Sequence, residues 1–101
     1  MLEWPIWKKL KMILFFGGAN CSKCKQLLPH ITKLVNDTYQ YRDIGMEYID
    51  CELPDNEALV KACAITWIPT VTYQAEDGTE LERFVDIHPL SEYDNKILYY
   101  S

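Results

Sequence analysis

No apolar run in this 101-residue sequence approaches the ~20 residues a helix needs to cross a bilayer. The longest, Met12–Phe16, spans five residues, so no membrane partner is expected. Basic residues interleaved with aromatics are also lacking and the net charge is −5, which argues against a nucleic-acid partner. Proline, glycine and serine never gather into a linker, and no repeat or low-complexity stretch is visible. One domain over residues 1–101 is therefore expected. Histidine is scarce, with only His30 and His88, which leaves no paired-histidine metal motif. The N-terminus carries Glu3, Lys8, Lys9 and Lys11 without a small-residue cleavage site. It does not read as a secretory signal, and a cytoplasmic location is expected.

What is present describes a globular chain. Hydrophobic residues make up 49% and charged residues 25%, enough apolar surface to offset the ordering entropy of folding. Charge is unevenly spread. Residues 1–36 hold six lysines and one acid, whereas residues 37–101 hold four basic and fourteen acidic residues. Such an asymmetry can steer charged partners or simply keep a small protein dispersed.

Periodicity orders the elements. Met12–Phe16, closed by Gly17-Gly18, reads as a buried strand in parallel pairing. From Ser22 the residues Leu27, Leu28, Ile31, Leu34 and Val35 follow helical spacing, with Pro29 inside as a kink, towards Tyr39 or Tyr41. Met46–Asp50 reads as a second strand with Met46 and Ile49 inward. A helix from Pro54, capped by Asp55, would bury Ala58, Leu59, Ala62 and Cys63. Thr70–Gln74 is a third strand, Glu76-Asp77-Gly78 a hairpin turn, and Leu81–Val85 an antiparallel return. Pro89–Tyr99 reads as a terminal helix with Ser91 as N-cap and Ile97 and Leu98 inward. Both helical crossovers are expected to give parallel pairing. Residues 1–11 are unassigned, with Trp4 and Trp7 expected over one end of the core. The class is α/β, a central mixed sheet of about four strands flanked by helices.

Chemistry concentrates at Cys21-Ser22-Lys23-Cys24. Two intervening residues on a first helical turn bring both sulfurs within bonding distance. The open helix N-terminus, with unpaired N–H groups and the positive end of the macrodipole, favours a Cys21 thiolate. That thiolate is the attacking species of thiol–disulfide exchange, and Cys24, one turn inside, is placed to resolve the mixed disulfide. Lys23 and Lys25 add favourable positive charge. Zinc knuckles share this spacing, but a tetrahedral site needs two further ligands. Cys51 and Cys63 lie twelve residues apart and the histidines are unsuitably placed, so no metal and no cofactor is expected.

With Ile68-Pro69-Thr70 at the junction of the second crossover and third strand, the sequence resembles the thioredoxin superfamily over residues 12 to about 99. The likeness rests on Cys21-Ser22-Lys23-Cys24-Lys25, Pro29, Asp50-Cys51-Glu52, Ile68-Pro69-Thr70 and Asp77-Gly78. It implies a thioredoxin-like fold, a cis bond before Pro69, and protein-disulfide reductase activity through Cys21 as nucleophile and Cys24 as resolver. It further implies substrate contact at Trp67, Ile68, Pro69 and Asn20, with Ser22, Lys23 and Lys25 in support. Disulfide-containing proteins would be the substrates, thioredoxin reductase or glutathione the reductant, and the chain a monomer.

Several positions depart from the family pattern. Asn20 stands where a tryptophan usually precedes the first cysteine, Gly17 replaces a second tryptophan, and Phe15 replaces the buried aspartate beneath the site. Without that carboxylate, Cys24 is expected to resolve slowly. The N-terminus is short, as in glutaredoxins, yet Asp86-Ile87 stands where glutaredoxins carry a Gly-Gly pair. A glutathione-linked enzyme of glutaredoxin type and a non-catalytic binding module therefore remain as alternatives. Elsewhere, Cys63 reads as an inert core thiol, Cys51 as half-buried and structural, and His30 as surface. Tyr39, Tyr41, Tyr99 and Tyr100 read as packing residues with polar tips.

Overall fold

A computed structural model describes residues 8–101, apart from the side chain of Tyr41. Trp4 and Trp7 lie outside the described residues. The elements run β1 (Leu10–Gly17), α1 (Ser22–Lys33), β2 (Gly45–Asp50), α2 (Glu57–Ala62), β3 (Thr70–Ala75), β4 (Glu80–Val85) and α3 (Leu90–Tyr100). Helix α1 runs on through Pro29, whose missing N–H leaves the Lys25 carbonyl without its intrahelical donor. It exits through a π-helical turn, Leu34–Thr38, and a short 3-10 turn, Gln40–Arg42.

The four strands form one mixed sheet in the order β2-β1-β3-β4. Strand β1 is parallel to β2, with Phe15 opposite Tyr48 and Gly17 opposite Asp50. It is antiparallel to β3, with Phe16 opposite Thr70, and the hairpin pairs β3 with β4. The second connection therefore does not give the parallel pairing expected of it. The reason is length. Six residues of α2 advance about 9 Å, too little to return the chain along a strand of about 20 Å. The chain re-enters the sheet, beyond β1, from the same end at which it left β2, and β3 runs backwards.

One face carries most of the core. Ile13 and Phe15 of β1, Val71 and Tyr73 of β3 and Phe84 of β4 pack against Cys24, Leu27 and Ile31 of α1 and Tyr93 and Ile97 of α3. Phe15 is fully buried; a side chain of this size contributes roughly 1.5–3 kcal/mol by leaving water. Among the described residues, the hydrophobic cluster of the opposite face is Leu14, Phe16 and Ile49, with Met12, Cys51, Cys63 and Ile65 partly covered.

Several local expectations are corrected. Asp55 does not cap α2: Pro54–Asn56 winds as a 3-10 turn, and the α-helix begins after Asn56 with no side-chain cap. The Asn56 amide instead donates to the Asp50 carbonyl at 2.9 Å. Ala58, Leu59 and Ala62 are exposed and Cys63 is only half-buried, because so short a helix touches the sheet only where the chain leaves it. Ser91 is not the N-cap of α3; Pro89 precedes the first helical residue, Leu90, and Ser91 lies inside the first turn. Leu98 faces outward, since burial of Tyr93 and Ile97 on one stripe turns the next residue about 100° away. Met46 is half-buried rather than enclosed. Tyr39 is buried, but Tyr99 is exposed; its ring meets Tyr100, centroids 4.9 Å apart, and lies under the Lys96 ammonium at 5.2 Å.

Candidate functional site

Four chain segments meet at one end of the sheet. The β1–α1 turn brings Gly17 to Cys24, the end of β2 brings Tyr48 to Glu52, the start of β3 brings Trp67 to Thr70, and the end of β4 brings Asp86. Backbone bonds hold them in place: Cys51 N–H donates to the Gly17 carbonyl at 2.8 Å, and Asp86 N–H donates to the Pro69 carbonyl at 2.8 Å. The reversed direction of β3 is what delivers Pro69 to this edge.

Cys21 is the N-cap of α1, in extended conformation (φ −101°, ψ 104°), and its sulfur accepts a hydrogen bond from Cys24 N–H at 3.1 Å. A sulfur thus takes the place of the oxygen that normally satisfies an open helix terminus. Cys21 and Cys24 form a disulfide, with S–S 2.25 Å and Cα–Cα 5.2 Å. Cys21 is half-buried, whereas Cys24 is only 2% exposed. The Ile68–Pro69 bond is cis. Pro69 is buried, Ile68 half-buried, and Trp67 stands 53% exposed at the rim. Asn20, Ser22, Lys23 and Lys25 are all exposed on the turn and first helical turn.

Two features escaped the sequence reading. Lys23 pairs with Asp86 across the rim, Nζ–Oδ1 3.2 Å. Asp86 sits in left-handed conformation (φ +66°), which Asp tolerates better than most residues. Its carboxyl is held below the usual carboxylate range, chiefly by the Ile87 N–H, then by Lys23, with the Trp67 side chain adding a smaller effect. The second feature is Tyr48. A Cβ on Gly17 would stand 3.0 Å from Tyr48 Cε1 and 3.1 Å from both Tyr48 Oη and Cys24 Sγ. The Tyr48 ring therefore covers Gly17 from β2, tilted 33° against the Phe15 ring with centroids 5.8 Å apart. The signal was present in the alternation of β2, where an aromatic falls opposite Phe15 and beside a glycine that departs from the pattern.

The other two cysteines, Cys51 in the β2 segment of the site and Cys63 at the end of α2, are free and half-buried. Burial, then the neighbouring Asp50 and Glu52 charges, pushes the Cys51 thiol up. Among the described residues no three His, Cys, Asp or Glu side chains gather as a metal-ligand set. No described helix is long and apolar enough to cross a membrane.

The sequence profile of the family described as Thioredoxin matches residues 5–97. The chain belongs to the thioredoxin family. Solved and curated thioredoxins bear out the fold. Thioredoxin 1 of Thermosipho africanus superposes with a TM-score of 0.74 at 29% identity, covering 88% of this chain and 92% of that one. Protein disulfide-isomerase 1 of Dictyostelium discoideum is 29% identical over 92 residues, 88% of this chain and 25% of that protein. The mitochondrial thioredoxin-3 of Saccharomyces cerevisiae is 27% identical over 79 residues, 78% of this chain and 58% of that protein. The chain thus spans only part of the length of these two curated relatives. Among the described residues of this chain, a four-stranded mixed sheet carries three α-helices, and the Cys-x-x-Cys pair opens the first of them.

Proposed function

We propose that this chain is a thiol–disulfide oxidoreductase of thioredoxin type that reduces protein disulfides through Cys21 and Cys24. The observation carrying the reading is the Cys21–Cys24 disulfide at the N-terminus of α1. Cys21 is the accessible sulfur and sits where helix N–H groups favour a thiolate. It attacks a substrate disulfide, one substrate thiolate leaves, and Cys24 displaces the other from the mixed disulfide. The chain then carries the disulfide and must be reduced by a thioredoxin reductase or by glutathione. Ile68 and Pro69 offer the backbone against which an extended substrate lies, Trp67 and Asn20 flank it, and Ser22, Lys23 and Lys25 support the first helical turn. The chain acts as a monomer, in a reducing compartment, the cytoplasm. The free thiols of Cys51 and Cys63 support that compartment.

Reduction of insulin, with dithiothreitol and separately with glutathione as the electron source, tests this. Turnover with dithiothreitol that is abolished by Cys21→Ser is the expected result. Turnover with glutathione alone moves the chain to the glutaredoxin type. No turnover with either leaves a binding module on the thioredoxin fold.

A further inference from the structure

The resolving half of the reaction needs Cys24 as a thiolate, yet Phe15 stands beneath the site and can neither take a proton nor stabilise an anion. A phenol reaches the same space from the neighbouring strand. Tyr48 Oη and Cys24 Sγ lie 3.1 Å from one common point, the position a Gly17 Cβ would occupy. Gly17 leaves that space open, and any larger residue would push the two groups apart. Parallel pairing of Phe15 with Tyr48 fixes the register, and the 5.8 Å ring contact with Phe15 fixes the tilt. Among the described residues the Tyr48 hydroxyl has no hydrogen-bond partner.

We propose that Tyr48 is a positioning residue for the resolving step, its hydroxyl donating a hydrogen bond to the Cys24 sulfur when that sulfur is a thiolate. The proposal rests on the oxidoreductase reading for its place in turnover. In that step Cys24 gives its proton to water, and the thiolate, held by the Tyr48 O–H, attacks Cys21 Sγ. The bond from Cys21 to the substrate sulfur breaks and the substrate leaves as a thiolate that takes a proton from water. The phenol is a donor and not a base. Burial first, and then the charges of Asp50, Cys51 and Glu52, raise it above the ordinary tyrosine range, so it keeps its proton at neutral pH. Glu52 also lies beside Gly18, and the remaining charged groups at this end of the sheet are Lys23, with its partner Asp86, and Lys25. Tyr48→Phe leaves all of them in place.

The test is a titration of Cys24 alone, read from its 13Cβ chemical shift in full-length Cys21→Ser protein, with and without Tyr48→Phe. The phenylalanine keeps the ring on Phe15 and Gly17, so a purely structural role predicts no change. Loss of a hydrogen bond to a charged sulfur should lower the thiolate fraction about tenfold, which moves the Cys24 titration up by about one pH unit. In protein that retains Cys21, decay of a Cys21 mixed disulfide should slow by about the same factor near neutral pH, and its pH profile should shift alike. Gly17→Ala, which crowds the shared space, should move the titration in the same direction. An unchanged Cys24 titration in Tyr48→Phe overturns the proposal, whatever Gly17→Ala does. A shifted titration in a chain that reduces no insulin upholds the hydrogen bond and overturns only the oxidoreductase reading.

Discussion

Lys23 Nζ lies 3.2 Å from Asp86 Oδ1 and 3.3 Å from Oδ2, so the helix that begins at the cysteine pair is tied to the turn after β4. Both groups are well exposed, and the pair adds little to stability. Its expected effect is on the local field: the carboxylate should cancel much of the positive charge that Lys23 would otherwise present to Cys21. Asp86→Asn should therefore speed iodoacetamide alkylation of reduced Cys21 about twofold at low ionic strength. Near 1 M salt, where the screening length is about 3 Å, the gain should vanish. Equal rates at low salt would show that the Lys23 charge does not reach Cys21.

In the reduced protein at neutral pH, iodoacetamide should modify Cys21 before the other three cysteines. Cys24 is almost fully enclosed and the Cys51 thiol is pushed up by burial and by Asp50 and Glu52, so both react slowly. Peptide mapping after partial alkylation gives the order directly. Faster labelling of Cys24 would reverse the roles of nucleophile and resolver.

Phe15→Asp places a carboxylate in a fully buried position between the sheet and α1. Desolvation should lower stability by several kcal/mol, seen as a reduced urea midpoint. In whatever fraction stays folded, the carboxylate can take the Cys24 proton, and stopped-flow decay of a Cys21 mixed disulfide should quicken near neutral pH. Identical decay in parent and variant would mean that a base beneath the site has no part in resolution here.

Acid stability should depend on Asp77 in the hairpin. Its carboxyl is lowered from 3.8 to about 2, first by the Thr79 backbone N–H and then by the Thr79 and Lys8 side chains. A folded-state value below the unfolded one stabilises the fold above the unfolded value, and that contribution is lost as pH falls through the folded value. Asp77→Asn, an isostere of the protonated acid, should show a lower urea midpoint than the parent at pH 7. The gap should close as pH falls from about 4 to about 2.

The legible parts of the chain were those written locally. Met12–Phe16 announces a buried strand by composition, Asp77-Gly78 announces a hairpin, and Gly78 takes φ +89° in it. The cysteine pair and Pro69 were readable because each motif spans a few residues and their order along the chain is characteristic. Contacts that depend on register or on the lengths of connections were not. The direction of β3 follows from α2 stopping at Ala62, a length that the apolar pattern of Ala58, Leu59 and Ala62 overstated. Tyr48 and Cys24 come to flank Gly17 only because β2 lies parallel to β1 in one register. Lys23 meets Asp86 across 63 residues of sequence, a pairing no local pattern encodes.

The thinly covered second face of the sheet bears on how the protein opens. Helix α2 has no buried residue, and the cluster beneath it is Leu14, Phe16 and Ile49. A segment with so little apolar anchorage detaches at a lower free energy than the α1–α3 side, whose fully buried cluster draws on β1, β3 and β4. Amide hydrogens of Glu57–Ala62 should thus exchange with solvent through partial opening, while those of Leu27 and Ile31 exchange only when the whole chain unfolds. Cys63, at the end of α2, is uncovered by the first kind of opening and Cys24 by the second. The α2 face should therefore open while the cysteine pair stays shut, so warming should bare a spare thiol well before it disturbs the working one.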